Sequence, residues 1–243
     1  MSLRVLAVVP ARGGSKGLPG KNIRPLLEIP LIGHSLLCAS LCPGVARTIV
    51  STDDDEIARV ARQLGADVPF LRPPELARDD SPMMPVLQHA LATIERLGDE
   101  AYDAVLLLDP TSPGRTPEDV AKAIEMLHLR PDAEGVVACS RPTFNPFWVG
   151  VVSKDGFARP AFDTAGRYAR RQDVPAFYRI NGALYLWRRA FVERGAWPGG
   201  DQLLLEIPEA RAFSIDDAHE FRLAELALSS GLVRLPWLTT VSK

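Results

Sequence analysis

A chain of 243 residues, 47% of them hydrophobic, has enough apolar side chains to bury a sizeable core. Its 28 basic and 30 acidic residues nearly cancel, which argues against the broad basic field of a nucleic-acid binder. Apolar runs fall far short of the roughly 18 residues that span a bilayer, and the N-terminus lacks a signal-peptide pattern. A cytoplasmic protein with neither nucleic-acid nor membrane partners is expected.

In chain order, Leu3 to Val9 (LRVLAVV) predicts the first strand. LIGHSLLCASLC then carries a helical apolar pattern. Cys38 and Cys42 lie on it, and with only Cys139 besides, no second pair completes a zinc site; buried free thiols are expected. TIVS (Thr48 to Ser51) reads as a strand. DDEIARVARQLGA places Ile57, Val60, Ala61 and Leu64 on one helical face and closes at Gly65. The acids Asp53, Asp54, Asp55 and Glu56 suit the positive end of that helix better than a metal cluster. MPVLQHALATIERLG predicts a second amphipathic helix. AVLLLD (Ala104 to Asp109) has the uniform apolarity of a central parallel strand. Thr116 to Asp119 opens a helix with a cap, a first-turn proline and acids. GVVACS predicts another strand. This succession predicts one α/β domain, 1–243, built on a doubly wound, mostly parallel sheet.

From about Arg141 to Arg179 the pattern breaks into a β-rich, aromatic insert, with a hairpin signal at SKDG. NGALYLW and ARAFSI predict a return to the sheet, and DAHEFRLAELALSSG a closing helix. The histidines at 34, 89, 128 and 219 share no motif and are expected on helix flanks.

The loop after the first strand, ARGGSKGLPGKN (Ala11 to Asn22), holds four glycines and three cations. It misses the Walker pattern: Ser15 replaces the first glycine, Asn22 the magnesium-binding hydroxyl, and Pro19 removes an amide. It misses the dinucleotide fingerprint as well. What remains is a polyphosphate cradle in which Gly13, Gly14, Gly17 and Gly20 allow close backbone approach beside Arg12, Lys16 and Lys21.

PARGGSKGLPGKN resembles the N-terminal signature of the acylneuraminate cytidylyltransferases, the CMP-sialic acid synthetase family. The resemblance continues in order through VSTDDDEIA, LRPPELARD, LLLDPTSPGRT, RRQDVPAFYRINGALY and SIDDAHEFRLAE. It implies a Rossmann-like nucleotidyltransferase. The anomeric hydroxyl of a nine-carbon α-keto acid (sialic, legionaminic or pseudaminic type) attacks the α-phosphate of CTP, and pyrophosphate leaves with the help of Mg2+. By the same resemblance Arg12, Gly13, Gly14, Ser15, Lys16, Lys21 and Asn22 bind the triphosphate, and Arg72 with the backbone near Ser81 reads the cytosine. Asp109, Thr111, Ser112, Arg171, Gln172, Arg179, Asn181 and Tyr185 stand with the sugar, and Arg115 falls in the same block as Thr111 and Ser112. Arg12, Lys21 and Asp216 are the implied catalytic residues, and the insert is expected to join a second subunit in a homodimer.

The family's metal-binding D-I-D pattern is Ser214-Ile215-Asp216 here, so one carboxylate is missing. Asp217 with Glu220 reads as a capping box for the last helix and does not replace it. Asp109 stands where the family usually has glutamine and related Kdo cytidylyltransferases have a metal-binding aspartate. Asp109 and Asp216 are therefore the expected metal pair. A Kdo-type enzyme and a non-catalytic nucleotide-binding relative are the competing readings.

Overall fold

The computed structural model describes residues 3–98, 101–162 and 167–238. The chain runs through β1 (Val5–Pro10), the small hairpin β2 (Pro25–Leu26) and β3 (Ile29–Pro30), α1 (Leu31–Ser40), β4 (Val45–Ser51) and α2 (Asp55–Gln63). It continues with α3 (Met83–Gly98), β5 (Ala104–Leu107), α4 (Pro117–Leu129), β6 (Gly135–Ser140) and the one-turn α5 (Pro146–Val149). After the hairpin β7 (Val151–Lys154) and β8 (Phe157–Pro160) come β9 (Arg179–Arg188), α6 (Arg189–Arg194), β10 (Gln202–Glu206) and α7 (Ala218–Ser229).

Alternation along β1 builds the layers, because successive strand side chains point to opposite faces. Val5, Ala7 and Val9 meet Ile32 and Leu36 of α1, Ile57 and Ala61 of α2, and Val120 and Leu127 of α4. Leu6 and Val8 meet Leu87, Leu91 and Ile94 of α3 and Phe191 of α6. The sheet is thus covered on both faces, as its uniformly apolar central strands require. Strand order is β10-β6-β9-β5-β1-β4, and five strands are parallel. The sixth, β9, runs antiparallel between β5 and β6. The mostly parallel, doubly wound expectation holds, and the carboxyl ends of the five parallel strands share one edge.

Several local readings hold with the expected chemistry. Asp54 caps α2 by accepting from the Glu56 and Ile57 amides, both at 2.9 Å. Thr116 and Asp119 form a complete capping box on α4. Asp155 and Gly156 both take positive φ (53° and 79°) at the tip of the β7–β8 hairpin, as a two-residue primed turn demands. The three cysteines are buried and free.

Three readings are corrected, and one expected strand carries an irregularity. ARAFSI forms no strand; the last strand of the sheet is β10, while Glu209–Arg211 makes a 3-10 turn. Arg211 pairs with Asp119 and donates to the Gly114 carbonyl, so side-chain pairing and not a ladder pins that segment. β9 is bulged where it crosses β6: the register jumps between Val137 and Cys139, and Gly182 takes φ 74°. Leu64 lies outside the buried face of α2, since the helix ends at Gln63 and the chain turns away at Gly65 with φ 80°. His34 is fully buried and not on a flank. Its Nε2 bonds the Leu26 carbonyl and its Nδ1 accepts from Trp237 Nε1, both at 3.0 Å, so the ring is held neutral with its proton on Nε2. Burial pushes its pKa down, which agrees with that assignment.

Candidate active site

The phosphate-loop candidate leaves β1 at Pro10 and is fastened at both ends. The Ala11 amide bonds the Ser51 carbonyl at 3.0 Å, and Asn22 Nδ2 donates to the Arg12 carbonyl at 3.0 Å. Gly20 takes φ 67° to start the 3-10 turn Lys21–Ile23. Leu18 is buried with Leu26, Ile215 and Phe221, so an apolar anchor holds the loop down between its polar residues. Lys21 is nearly buried. Its Nζ donates to the Ile215 carbonyl at 2.7 Å and to Asp216 Oδ1 at 3.0 Å. Arg12 and Lys16 both pair with Asp79.

These groups open on a cleft of about 360 Å³. Arg12, Ser15, Lys16, Lys21 and Asn22 line it from the loop, joined by Arg72, Met83, Asp109, Thr111 and Asp216. Residues from five separated stretches of sequence therefore converge at the carboxyl edge of the sheet, where open α/β sheets place their ligands. Gly13 and Gly14 are not among the lining residues; the Gly13 amide donates to Asp53 Oδ1 at 3.1 Å. Ser81 is spent on its own turn, its Oγ donating to the Glu75 carbonyl at 3.0 Å and accepting from the Arg78 amide at 3.1 Å.

Arg72 is buried and held against β4, its guanidinium donating to the Ser51 hydroxyl and carbonyl. Burial pushes its pKa down to about 10, with nearby Asp53 opposing that shift and Arg12 adding to it. It remains a cation at neutral pH. Asp109 Oδ1 accepts from the Thr111 amide (3.1 Å) and hydroxyl (2.9 Å), while Oδ2 has no hydrogen-bond partner among the described residues. Asp216 is open to solvent at 71% of its side chain, with Oδ2 at 3.3 Å from Ser214 Oγ. Asp217 caps α7 as expected, accepting from the Glu220 amide at 2.8 Å. Glu220, however, accepts from the Asp216 amide at 2.7 Å and not from that of Asp217. The box is shifted by one residue and grips the backbone of Asp216.

The residues expected around a sugar are less gathered. Ser112 is buried at the turn after β5, its amide on the Asp109 carbonyl at 3.2 Å. Arg115 is fully buried, donating to the Ala183 carbonyl, the Ser35 hydroxyl and the Asp109 carbonyl. It therefore braces the site from behind. Asn181 is buried in the β9 bulge, where Oδ1 accepts from the Ala183 amide at 3.1 Å and Nδ2 lacks a partner among the described residues. Tyr185 stacks on Trp187 with ring centroids 5.0 Å apart. Burial raises its phenol pKa, and the charge of Asp109 adds to the shift. Arg179 is neutralised by Glu209 at 2.8 Å. Burial works to raise the Glu209 pKa, but the Ser140 and Arg179 bonds hold it below the usual value. Arg171 and Gln172 are exposed in the insert, and Arg171 donates over a long 3.4 Å to the Thr143 carbonyl. Asp79 and Met83 carry no spacing signal in the sequence, and only tertiary contact brings them to the loop and the cleft; Gly17, expected in the cradle, lines the cleft.

A doubly wound sheet whose first loop delivers cations to a cleft shared with two aspartates defines a nucleotide-handling transferase. The chain belongs to the cytidylyltransferase family, whose model matches residues 6–208. It is 38% identical over 186 residues to the CMP-N,N'-diacetyllegionaminic acid synthase of Legionella pneumophila, covering 76% of this chain and 78% of that protein. It is 30% identical over 226 residues to the enzyme of the same name from Campylobacter jejuni, covering 93% and 95%. Among solved structures, CMP:2-keto-3-deoxy-manno-octonic acid synthetase complexed with CTP shares the fold. Its TM-score is 0.71 at 17% identity, covering 94% of this chain and 99% of that one.

Gly17 lies close against the acid segment, for a Cβ there would collide with the Asp216 carbonyl oxygen. Backbone cannot give way as a flexible side chain does. Gly17→Ala is expected to fold and to bind nucleotide about tenfold more weakly or worse. Calorimetric titration with CTP alongside a thermal melt checks this, and parent-like affinity would show that the contact is dispensable.

Proposed function

We propose that this cytidylyltransferase transfers the cytidylyl group of CTP to the anomeric hydroxyl of a nine-carbon α-keto acid, releasing pyrophosphate. The observation that carries the reading is the convergence of Arg12, Lys16, Lys21 and Arg72 with two aspartates on one cleft. Each loop cation offers charge where the pyrophosphate leaves, so it stabilises a transition state in which negative charge grows there. Lys21 is the most firmly placed, because the Ile215 carbonyl holds its ammonium independently of Asp216. Arg72, fixed by Ser51, supports base recognition with a donor that needs no reorganisation. The names of the two curated relatives make N,N'-diacetyllegionaminic acid the first sugar to try. Pyrophosphate release should be measured with CTP, Mg2+ and a panel of legionaminic, sialic, pseudaminic and Kdo sugars. Turnover with a nine-carbon sugar is expected; turnover with Kdo alone would favour the reading that Asp109 suggests. CTP binding without release from any sugar would favour a non-catalytic relative.

For magnesium, the donor set fits. Asp109 Oδ2 is free among the described residues and Asp216 faces solvent, both hard oxygen ligands in the cleft. Among the described residues no three acids, histidines or cysteines form a cage. That suits an ion held by one or two carboxylates together with substrate phosphates and water. Magnesium, when bound, supplies charge neutralisation on the triphosphate. The Thr111 amide and hydroxyl orient the Asp109 carboxylate, and Glu220 orients the Asp216 backbone. Asp109→Gln is expected to lower turnover about a hundredfold and to raise the Mg2+ concentration needed for half-maximal rate. Adding Ser214→Asp should restore part of both. Intact turnover and Mg2+ dependence in Asp109→Gln would place the second ligand elsewhere.

A homodimer joined through the insert is the assembly we propose. The supporting feature is the exposure of large apolar side chains throughout this segment: Phe144 before α5, Trp148 and Val149 on α5, and Val152 with Phe157 on one face of the β7–β8 hairpin. Such exposure is costly to leave in water. Sedimentation should give a dimer that Val152→Asp with Phe157→Asp dissociates. A monomer at all concentrations in the parent would remove the shared assembly.

A further inference from the structure

Asp79 bridges two of the three loop cations from a segment 67 residues away in sequence: Oδ1 holds Arg12 and Oδ2 holds Lys16. Both cations line the cleft, whereas Asp79 does not. The carboxylate is presented by a braced turn. The Ser81 amide bonds the Arg78 carbonyl at 3.2 Å, and the Ser81 hydroxyl ties the Arg78 amide to the Glu75 carbonyl. Its side chain is 42% exposed, so the two pairs are open to water. The hydrogen bonds from Lys16 and Arg12 hold its carboxyl below the usual pKa, so it is charged wherever the loop would meet phosphate.

We propose that Asp79 is an internal counter-anion for the phosphate loop, displaced when pyrophosphate groups enter and restored when pyrophosphate leaves. The inference rests on the reading of this loop as the triphosphate site. A tethered carboxylate competes with an incoming phosphate for the same two cations at high effective concentration. Every ligand that takes those cations must first break both pairs, and departure of the product is helped by their re-formation. Asp79 thus limits how tightly the leaving group is retained, at the cost of some affinity for the substrate. Because the pairs are exposed, the restraint is modest, on the scale of ordinary surface ion pairs.

The test is calorimetric titration of the parent, Asp79→Asn and Asp80→Asn with inorganic pyrophosphate, each checked by a thermal melt. Asp80 is the exposed neighbouring carboxylate, so its loss makes the same change in net charge. Asp79→Asn should bind pyrophosphate about three- to tenfold more tightly, and Asp80→Asn should stay within about twofold of the parent. Product inhibition by pyrophosphate should strengthen in step. Unchanged or weaker binding by Asp79→Asn overturns the proposal, as does equal tightening by Asp80→Asn, which would be a bulk field effect. A parent that binds neither pyrophosphate nor CTP would instead overturn the triphosphate reading itself.

Discussion

The site depends on a buried guanidinium. Arg115 is fully enclosed, and its hydrogens reach the Asp109 carbonyl at the end of β5, the Ala183 carbonyl in β9 and the Ser35 hydroxyl in α1. Burial works against its charge, while the carboxylates of Asp109 and Asp119 work for it. A buried cation is costly unless its donors are met; Nη1 and Nη2 are met here while Nε lacks a partner among the described residues, so the three elements that those bonds touch must keep their spacing. Asp109 is thereby fixed through its main chain, leaving its carboxylate to the Thr111 turn and the cleft.

The same logic extends to the acid segment. The Ile215 amide bonds the Thr111 carbonyl at 2.9 Å, the Ile215 carbonyl receives Lys21, and the Ile215 side chain is buried with Leu18 and Phe221. One residue thus joins the β5 turn, the glycine-rich loop and the apolar cluster beneath α7. The loop is rich in glycine yet pinned at Leu18, which reconciles close backbone approach with a defined position. Ligand-contacting atoms stay polar and accessible, while the residues between them supply the packing.

The bulge in β9 links sheet and site in another way. An antiparallel strand between two parallel ones puts its starting end, Arg179, at the edge where β5 and β6 finish. Gly182 takes the positive φ that the bulge needs, and the displaced Ala183 carbonyl becomes the acceptor for Arg115. Glycine within an otherwise apolar strand is the local mark of such an irregularity.

The amino-acid sequence by itself determined the strands with uniform apolar runs, the helices with caps, the Asp-Gly hairpin and the cation-bearing loop, because each is encoded in neighbours a few residues apart. Thr116 with Asp119 and Asp54 before α2 are cases where side chain and backbone partner lie within one turn. The pairing of Asp79 with Arg12 and Lys16, the burial of Arg115 and His34, and the capture of Arg179 by Glu209 were decided only by the tertiary structure. The Asp79 and Arg179 pairs and the bonds of Arg115 to Ala183 and Ser35 join residues at least 30 positions apart, and the short-range bond of His34 is sealed beneath Trp237. Even ARAFSI, with the alternation of a strand, was claimed by Arg211 reaching Asp119. Local pattern specifies which backbone conformations are favoured, but long-range charge pairing and burial choose between them, and those forces act only once the chain has closed on itself.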